Sequence, residues 1–322
     1  MTSAAALRGI RISAMDFPMP GRMQHRASPV TKEAAADIAA KREFVVRQVE
    51  MAKVGVTNLL LLGRRPTAAD WAAEHRRIIV QRANLPANGR PEHLRTPLTD
   101  ADRIAFNDFF GRNIRTEGGE LDPETGYFVG GQETPLSITY AEAGRRAHAR
   151  FGAGNEHIEE LQNTVRLSDG TVIDSNRLVR GERWEEVSRA KAAAQAALGQ
   201  DVSTWRMTRN SHDIVSIPAT QADRERMRQD AYTQLAQPDF TIRNWADVQY
   251  KLSLGWEMRG GTDGAARTLA AEAGMFHLNR VPVYPHDIDL LAMTMDQDKF
   301  IDYIVEHDRS MRDPAGEPVL NP

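Results

Sequence analysis

The sequence predicts a mainly helical fold (mainly α, α+β) with one small β element. Three observations carry that expectation. Apolar residues recur at helical spacing behind capping residues along most of the chain. A single stretch, NTVRLSDGTVIDS (163–175), places Val165, Leu167 and Val172 in alternation around Asp169-Gly170, the signature of a hairpin. No internal repeat and no heptad run is present, which sets aside solenoids and coiled coils.

The elements follow in order. Residues 1–27 read as irregular. Ser28-Pro29 opens a helix as cap plus first-turn proline, and Ile38, Val45, Val49 and Ala52 form its apolar stripe, ending near Gly55. Thr67 caps a second helix to about Asn84, with Asp70 three residues on and Trp71, Ile78 and Ile79 to bury. Residues 85–97 read as loop. Thr99 caps a third helix holding Ile104, Phe106, Phe109 and Phe110. The polar, glycine-rich stretch TEGGELDPETGYFVGGQET (115–133) reads as an exposed excursion. TPLSITY (134–140) leads into a helix to about Arg150. After the hairpin, Trp184 to Leu198 is an alanine-rich helix stopped by Gly199, and Thr220 to about Gln237 is another. Asn244 caps a helix running through Met258. An Arg–Gly–Gly break follows, then a helix from Thr262 to Ala273, ended by Gly274. Residues 275–286 are loop, Asp287 starts a short helix, and Asp296 to about His307 is the last. The whole reads as one domain over 28–311, with a second lobe around the hairpin at about 141–200 and a flexible tail at 312–322.

Composition narrows the function. The chain has 322 residues and a net charge of −3, which argues against a general nucleic-acid surface. Only Lys32, Lys41, Lys53, Lys191, Lys251 and Lys299 are lysine among 41 basic residues. That excess of arginine suits phosphate and carboxylate contacts, although alanine- and arginine-rich codon usage accounts for most of it. The absence of cysteine removes disulfides, thiolate zinc sites and thiol nucleophiles. No apolar run reaches membrane length, the N-terminus lacks a signal core, and Thr2 takes the place of the glycine that myristoylation needs. The expectation is a cytoplasmic protein without a membrane anchor, a secreted effector being the alternative.

Familiar catalytic motifs are missing: no His-Glu-x-x-His, no Gly-x-Ser-x-Gly, no Walker loop. FGAGNEH (151–157) is a faint phosphate-loop signal that reads better as a helix C-terminal turn. Asp287-Ile-Asp289, with His277 and His286 nearby, resembles a divalent-ion pair, but aspartate at a helix start usually caps; no metal is expected. His212 in RNSHDIVSIP and Thr134 before Pro135 are each more often structural than catalytic. WEMRGGTDGAART (256–268) carries the sharper signal. Each interior glycine costs a helix about 1 kcal/mol, so Gly260-Gly261 marks either a tight turn or a close backbone approach to an anion at the next helix's N-terminus.

These stretches, taken in order, resemble a known family. RGGTDGAARTLAAEAG followed by DIDLLAMTMDQDKFIDYI is similar to the C-terminal part of the AvrB-type effectors of plant-pathogenic bacteria, within the Fido (Fic/Doc/AvrB) superfamily. TPLSITY, the strand ending TVID and the histidine of RNSHDIVS also resemble family stretches. Agreement spans about 134–305, whereas residues 1–133 match poorly. The resemblance implies a bilobed, mostly helical Fido body with a cleft that binds a nucleoside diphosphate. It implies transfer of a deoxysugar such as rhamnose from a dTDP- or UDP-linked donor to a hydroxyl of a protein or small molecule, with no further cofactor. By position, Arg259 would grip the diphosphate with the amides of Gly260, Gly261 and Thr262. Thr134, Tyr140, His212 and Asp289 would line the same cleft, Asp289 first and His212 second as proton acceptor. The Fic loop His-x-Phe-x-x-Gly-Asn-Gly-Arg lacks its His, Phe and Asn here, which argues against adenylyl transfer by that mechanism. A binding module without turnover and a nucleotidyl transferase with a different loop remain the alternatives.

Overall fold

The computed structural model describes residues 32–85, 91–111, 120–121, 128–131, 135–202 and 213–312. Within them the α-helices are α1 (Lys32–Leu61), α2 (Ala68–Ala83), α3 (Pro91–Arg95), α4 (Pro135–Arg150), α5 (Gly181–Ala197), α6 (Gln221–Leu235), α7 (Ile242–Leu254), α8 (Thr262–Ala273), α9 (Ile288–Thr294) and α10 (Gln297–Ser310), and a π-helix over Gly274–Leu278, expected as loop, continues α8. The strands are β1 (Asp108–Phe110), β2 (Glu120–Leu121), β3 (Phe128–Val129), β4 (Glu160–Arg166), β5 (Val172–Val179) and β6 (Ile214–Ile217). The mainly helical expectation holds, with a small antiparallel sheet of order β1-β6-β5-β4 beside the helices.

Two helices form the centre. α7 packs against α6, α8, α9 and α10, and α8 is also flanked by α1 and α2. α8 explains itself from its sequence: TDGAARTLAAEA is mostly small side chains, so neighbours approach its backbone closely. Trp245 of α7 fills that space and donates its indole N–H to Ala270 O at 2.7 Å. Thr67 and Asp70 close a reciprocal cap at the start of α2, and Thr241 with Asn244 does the same for α7. Such caps contribute about 1 kcal/mol each.

The sheet has two covered faces. Val165, Ile173, Leu178 and Ile214 join the main core, while Val179, Val215 and Ile217 pack with Trp184 and Val187 of α5. The stretch 141–200 thus contributes to the main core as well as to that smaller cluster. Asn176 pins the sheet to α9 by donating to Met293 O at 2.8 Å. Arg146 and Arg150 of α4 grip the two ends of the same region through Asp287 and Asp296, at 2.8 and 2.5 Å.

Several expected elements differ. α1 runs past Gly55 to Leu61; that glycine leaves room for the Glu272 side chain, which any Cβ would strike. No helix follows Thr99. A turn leads into β1, where Phe109 faces Trp184 and Phe110 the main core, as adjacent strand residues must. β6 carries no strand signal in the sequence, because it is buried along its whole length and shows no polar alternation. α7 ends at Gly255 rather than Met258, because 257–259 pairs with 96–98: Leu98 N donates to Glu257 O at 2.8 Å and Arg259 N to Thr96 O at 3.0 Å. Residues 85–97, read as loop, include α3, and the excursion at 115–133 contains the short β2–β3 pair.

Candidate active site at the start of α8

The Arg–Gly–Gly break becomes a left-handed cap. Gly261 has φ +70° and precedes Thr262, the first residue of α8; a Cβ at Gly261 would run into Leu94 of α3. Only glycine takes both that backbone geometry and that contact. The chain therefore turns flush against α3 and presents the start of α8 with its unpaired N–H groups and positive dipole end.

Around that start stand three arginines. Arg259 donates to Asp102 Oδ2 at 2.8 Å and lies over the Phe106 ring at 5.4 Å. Arg82 of α2 lies against Gly264, where any Cβ would strike its guanidinium. Burial draws Arg82 down to about 10, with Asp263 opposing and Arg267 adding to the fall. Arg267, 1% exposed, binds Asp263 Oδ1 through Nε at 2.6 Å, and Asp289 Oδ1 and His286 O through Nη2 at 3.0 and 2.6 Å. Burial works against its charge, and Asp263 and Asp289 hold it charged nonetheless.

The carboxylates are as telling. Burial, then the charge of Asp263, raises Asp289 to about 7, with Arg267 opposing and Asp108 adding to the rise. Burial raises Asp108, at the start of β1, to about 6. Asp289 sits in a recess with a quarter of its side chain open to solvent. Among the described residues, Arg267 Nη1 and the hydroxyl of Thr262 (7% exposed) are buried with no hydrogen-bond partner, and so is Arg259 Nε. Buried donors of this kind are uncommon in folded proteins and ask for a reason.

The structure gathers most of the expected site residues. Arg259, Gly260, Gly261 and Thr262 form the cap itself. Segment 102–111 runs past it: Asp102 holds Arg259, Asp108 faces Asp289 electrostatically, and Gly111 N donates to Tyr140 O at 3.2 Å. Tyr140 packs its ring near Phe110, 6.0 Å between centroids. Thr134 and His212 lie outside the described residues. Asp287 and Asp289 do not act as a pair, since each is held by a different arginine. FGAGNEH is a turn after α4, with Asn155 Nδ2 donating to Phe151 O at 2.8 Å. Sequence reading missed Arg267, Asp263, Arg82, Asp102 and Asp108. Asp263 and Arg267 had a legible signal, an i,i+4 acid–arginine pair on the helix that follows the glycines. The chain matches no family model and no curated protein, so its site is read from its own geometry.

Proposed function

We propose that this chain is a glycosyltransferase-like enzyme. It moves a deoxysugar, rhamnose being the first candidate, from a dTDP- or UDP-linked donor to a hydroxyl of a protein or small molecule. The diphosphate rests at the start of α8, over Gly260, Gly261 and Thr262, with Arg259 beside it. The observation that carries this reading is the pair of buried unmatched donors, Arg267 Nη1 and Thr262 Oγ1, at a helix N-terminus. A phosphate group supplies the acceptors both lack, and the helix amides and arginines stabilise negative charge as it grows on the leaving diphosphate. Asp289, held near neutrality, has a proton affinity suited to an acid–base role at physiological pH.

The test is a thermal-shift survey with nucleoside diphosphates and nucleotide sugars, followed by mass analysis of acceptors. A dTDP or UDP compound at a hundredfold excess over its dissociation constant should add about 2.7 kcal/mol of stability. Arg259→Ala should abolish that shift and lower turnover by about 10²–10³, as loss of one preorganised charge-stabilising donor does. A sugar mass on the acceptor supports the proposal, and a nucleotide mass favours nucleotidyl transfer. Binding without any added mass favours a non-catalytic module. No shift with any member of the panel overturns the anion site.

A further inference from the structure

Asp263 and Asp289 compete for one buried guanidinium. Arg267 offers Nε to the first and Nη2 to the second, and its Nη1 meets no acceptor among the described residues. By direct contact one guanidinium thus serves two carboxylates, with the charge of Arg82 acting on Asp263 from α2. The other charged or titratable groups facing this cluster are Asp108 from β1, Arg82 from α2, and Tyr284 and His286 from the segment before α9. Asp287, next in that segment, is already committed to Arg146 of α4. A dianion arriving at Nη1 adds negative charge where the nearest countercharge is already shared. In a partly desolvated cluster, like charges at this spacing cannot all persist, and the carboxylate that is less solvated and less tightly held takes a proton. Asp263 is 32% exposed and bound through the short Nε contact at 2.6 Å, whereas Asp289 is only 25% exposed and held more loosely at 3.0 Å.

We propose that anion binding at the start of α8 is coupled to uptake of one proton by Asp289, with Asp263 as the positioning residue that sets the strength of the coupling. This inference rests on the anion site proposed above. The donor then binds with Asp289 as a neutral hydrogen-bond donor rather than as a ready base. Affinity for the anion falls as pH rises above neutrality, by at most about tenfold per pH unit for a single linked proton.

The experiment is isothermal titration of the full chain with pyrophosphate at pH 7.5 in two buffers of different ionisation enthalpy. Sulfate, which has no titrating proton in this range, is the second probe. The expected result is a net proton uptake from buffer with both anions. Asp289→Asn should keep binding and lose the uptake, and this variant also subtracts the protons that pyrophosphate itself exchanges. Asp263→Asn should move the pH of maximal uptake downward. Binding with the same heat in both buffers overturns the coupling and leaves the anion site standing. Uptake that survives in Asp289→Asn also overturns it, since the proton then goes elsewhere. No binding of either anion overturns both readings. The wild-type measurement with sulfate tests the coupling itself even if a variant fails to fold.

Discussion

Two buried ionic clusters flank α7, and they differ in what they leave unmet. On one side, Lys251, 1% exposed, donates to Asp230 and Asp247 at 2.6 Å each. Gln234 donates to the same two carboxylates at 3.0 and 2.7 Å, and Gln297 reaches Asp247 at 2.6 Å. Burial pushes Asp230 up, and the bonds from Lys251 and Ser168 more than reverse it. On the other side, the cluster at the start of α8 leaves Arg267 Nη1 and Thr262 Oγ1 unmatched. A groove of about 520 Å³ opens beside Lys251. Yet the groups at its floor are already bonded, so the groove is a consequence of packing. The two clusters are told apart by their unmet hydrogen bonds and not by hollow volume.

The first way to break this comparison is Lys251→Met. If the Lys251 cluster is structural, the change strands two carboxylates in the interior and should cost about 3–5 kcal/mol in urea unfolding, with anion binding intact in the folded fraction. A cost under 1 kcal/mol would erase the distinction between the clusters.

Glu272 sharpens the comparison with a third solution to the same problem. It is fully buried between α1 and α2, receives Arg77 at 3.3 Å, and its Oε2 meets no donor among the described residues. Burial, then Glu74, pushes its carboxyl well above the usual range, with Arg77 opposing. Here a proton does what a ligand would do at α8. Because the folded-state affinity for that proton is raised, the stabilisation is present at low pH and is lost as pH rises toward the folded value. Glu272→Gln should therefore match the parent near pH 4.5 and become progressively more stable than it by pH 8. Parallel stability curves across that range would mean that the carboxyl is ionised and satisfied.

Thr262→Val is the smallest perturbation. Replacing an unmatched buried hydroxyl with a methyl should leave stability unchanged or raise it by up to about 1 kcal/mol. The same change should weaken diphosphate binding by about tenfold to a hundredfold, the worth of one hydrogen bond to a charged group. A loss of stability with unchanged affinity would place the hydroxyl's role in the fold.

Much of the helical frame was legible because caps and apolar stripes are local. Thr67-Asp70, Thr220 and the start of α8 follow from neighbouring residues alone, whereas Gly274 does not stop the helix and a π-turn carries it on to Leu278. What escaped the sequence was non-local. β1 is a strand because β6 lies beside it, and β6 because β1 and β5 flank it, while Phe106, Phe109 and Phe110 fit a helical stripe as well as a strand. The helix break at 259–262 was readable from Gly260-Gly261. Arg82, Asp102 and Asp108 come from distant parts of the chain, and no spacing rule joins them to Arg267.

The pairing of 257–259 with 96–98 sets when the site can exist at all. Arg259 and its partner Asp102 are 157 residues apart in the chain. At a synthesis rate of roughly 5–20 residues per second, about 8–30 seconds separate the making of one from the making of the other. Through that interval the nascent chain carries α1 to α3 with no α8 to dock on. Leu94, Thr96 and Asp102 reach the cap from the segment that ends at β1. The cap is thus completed only after α8 is made, from segments 157 residues apart, and a nascent fragment that ends before α8 lacks it.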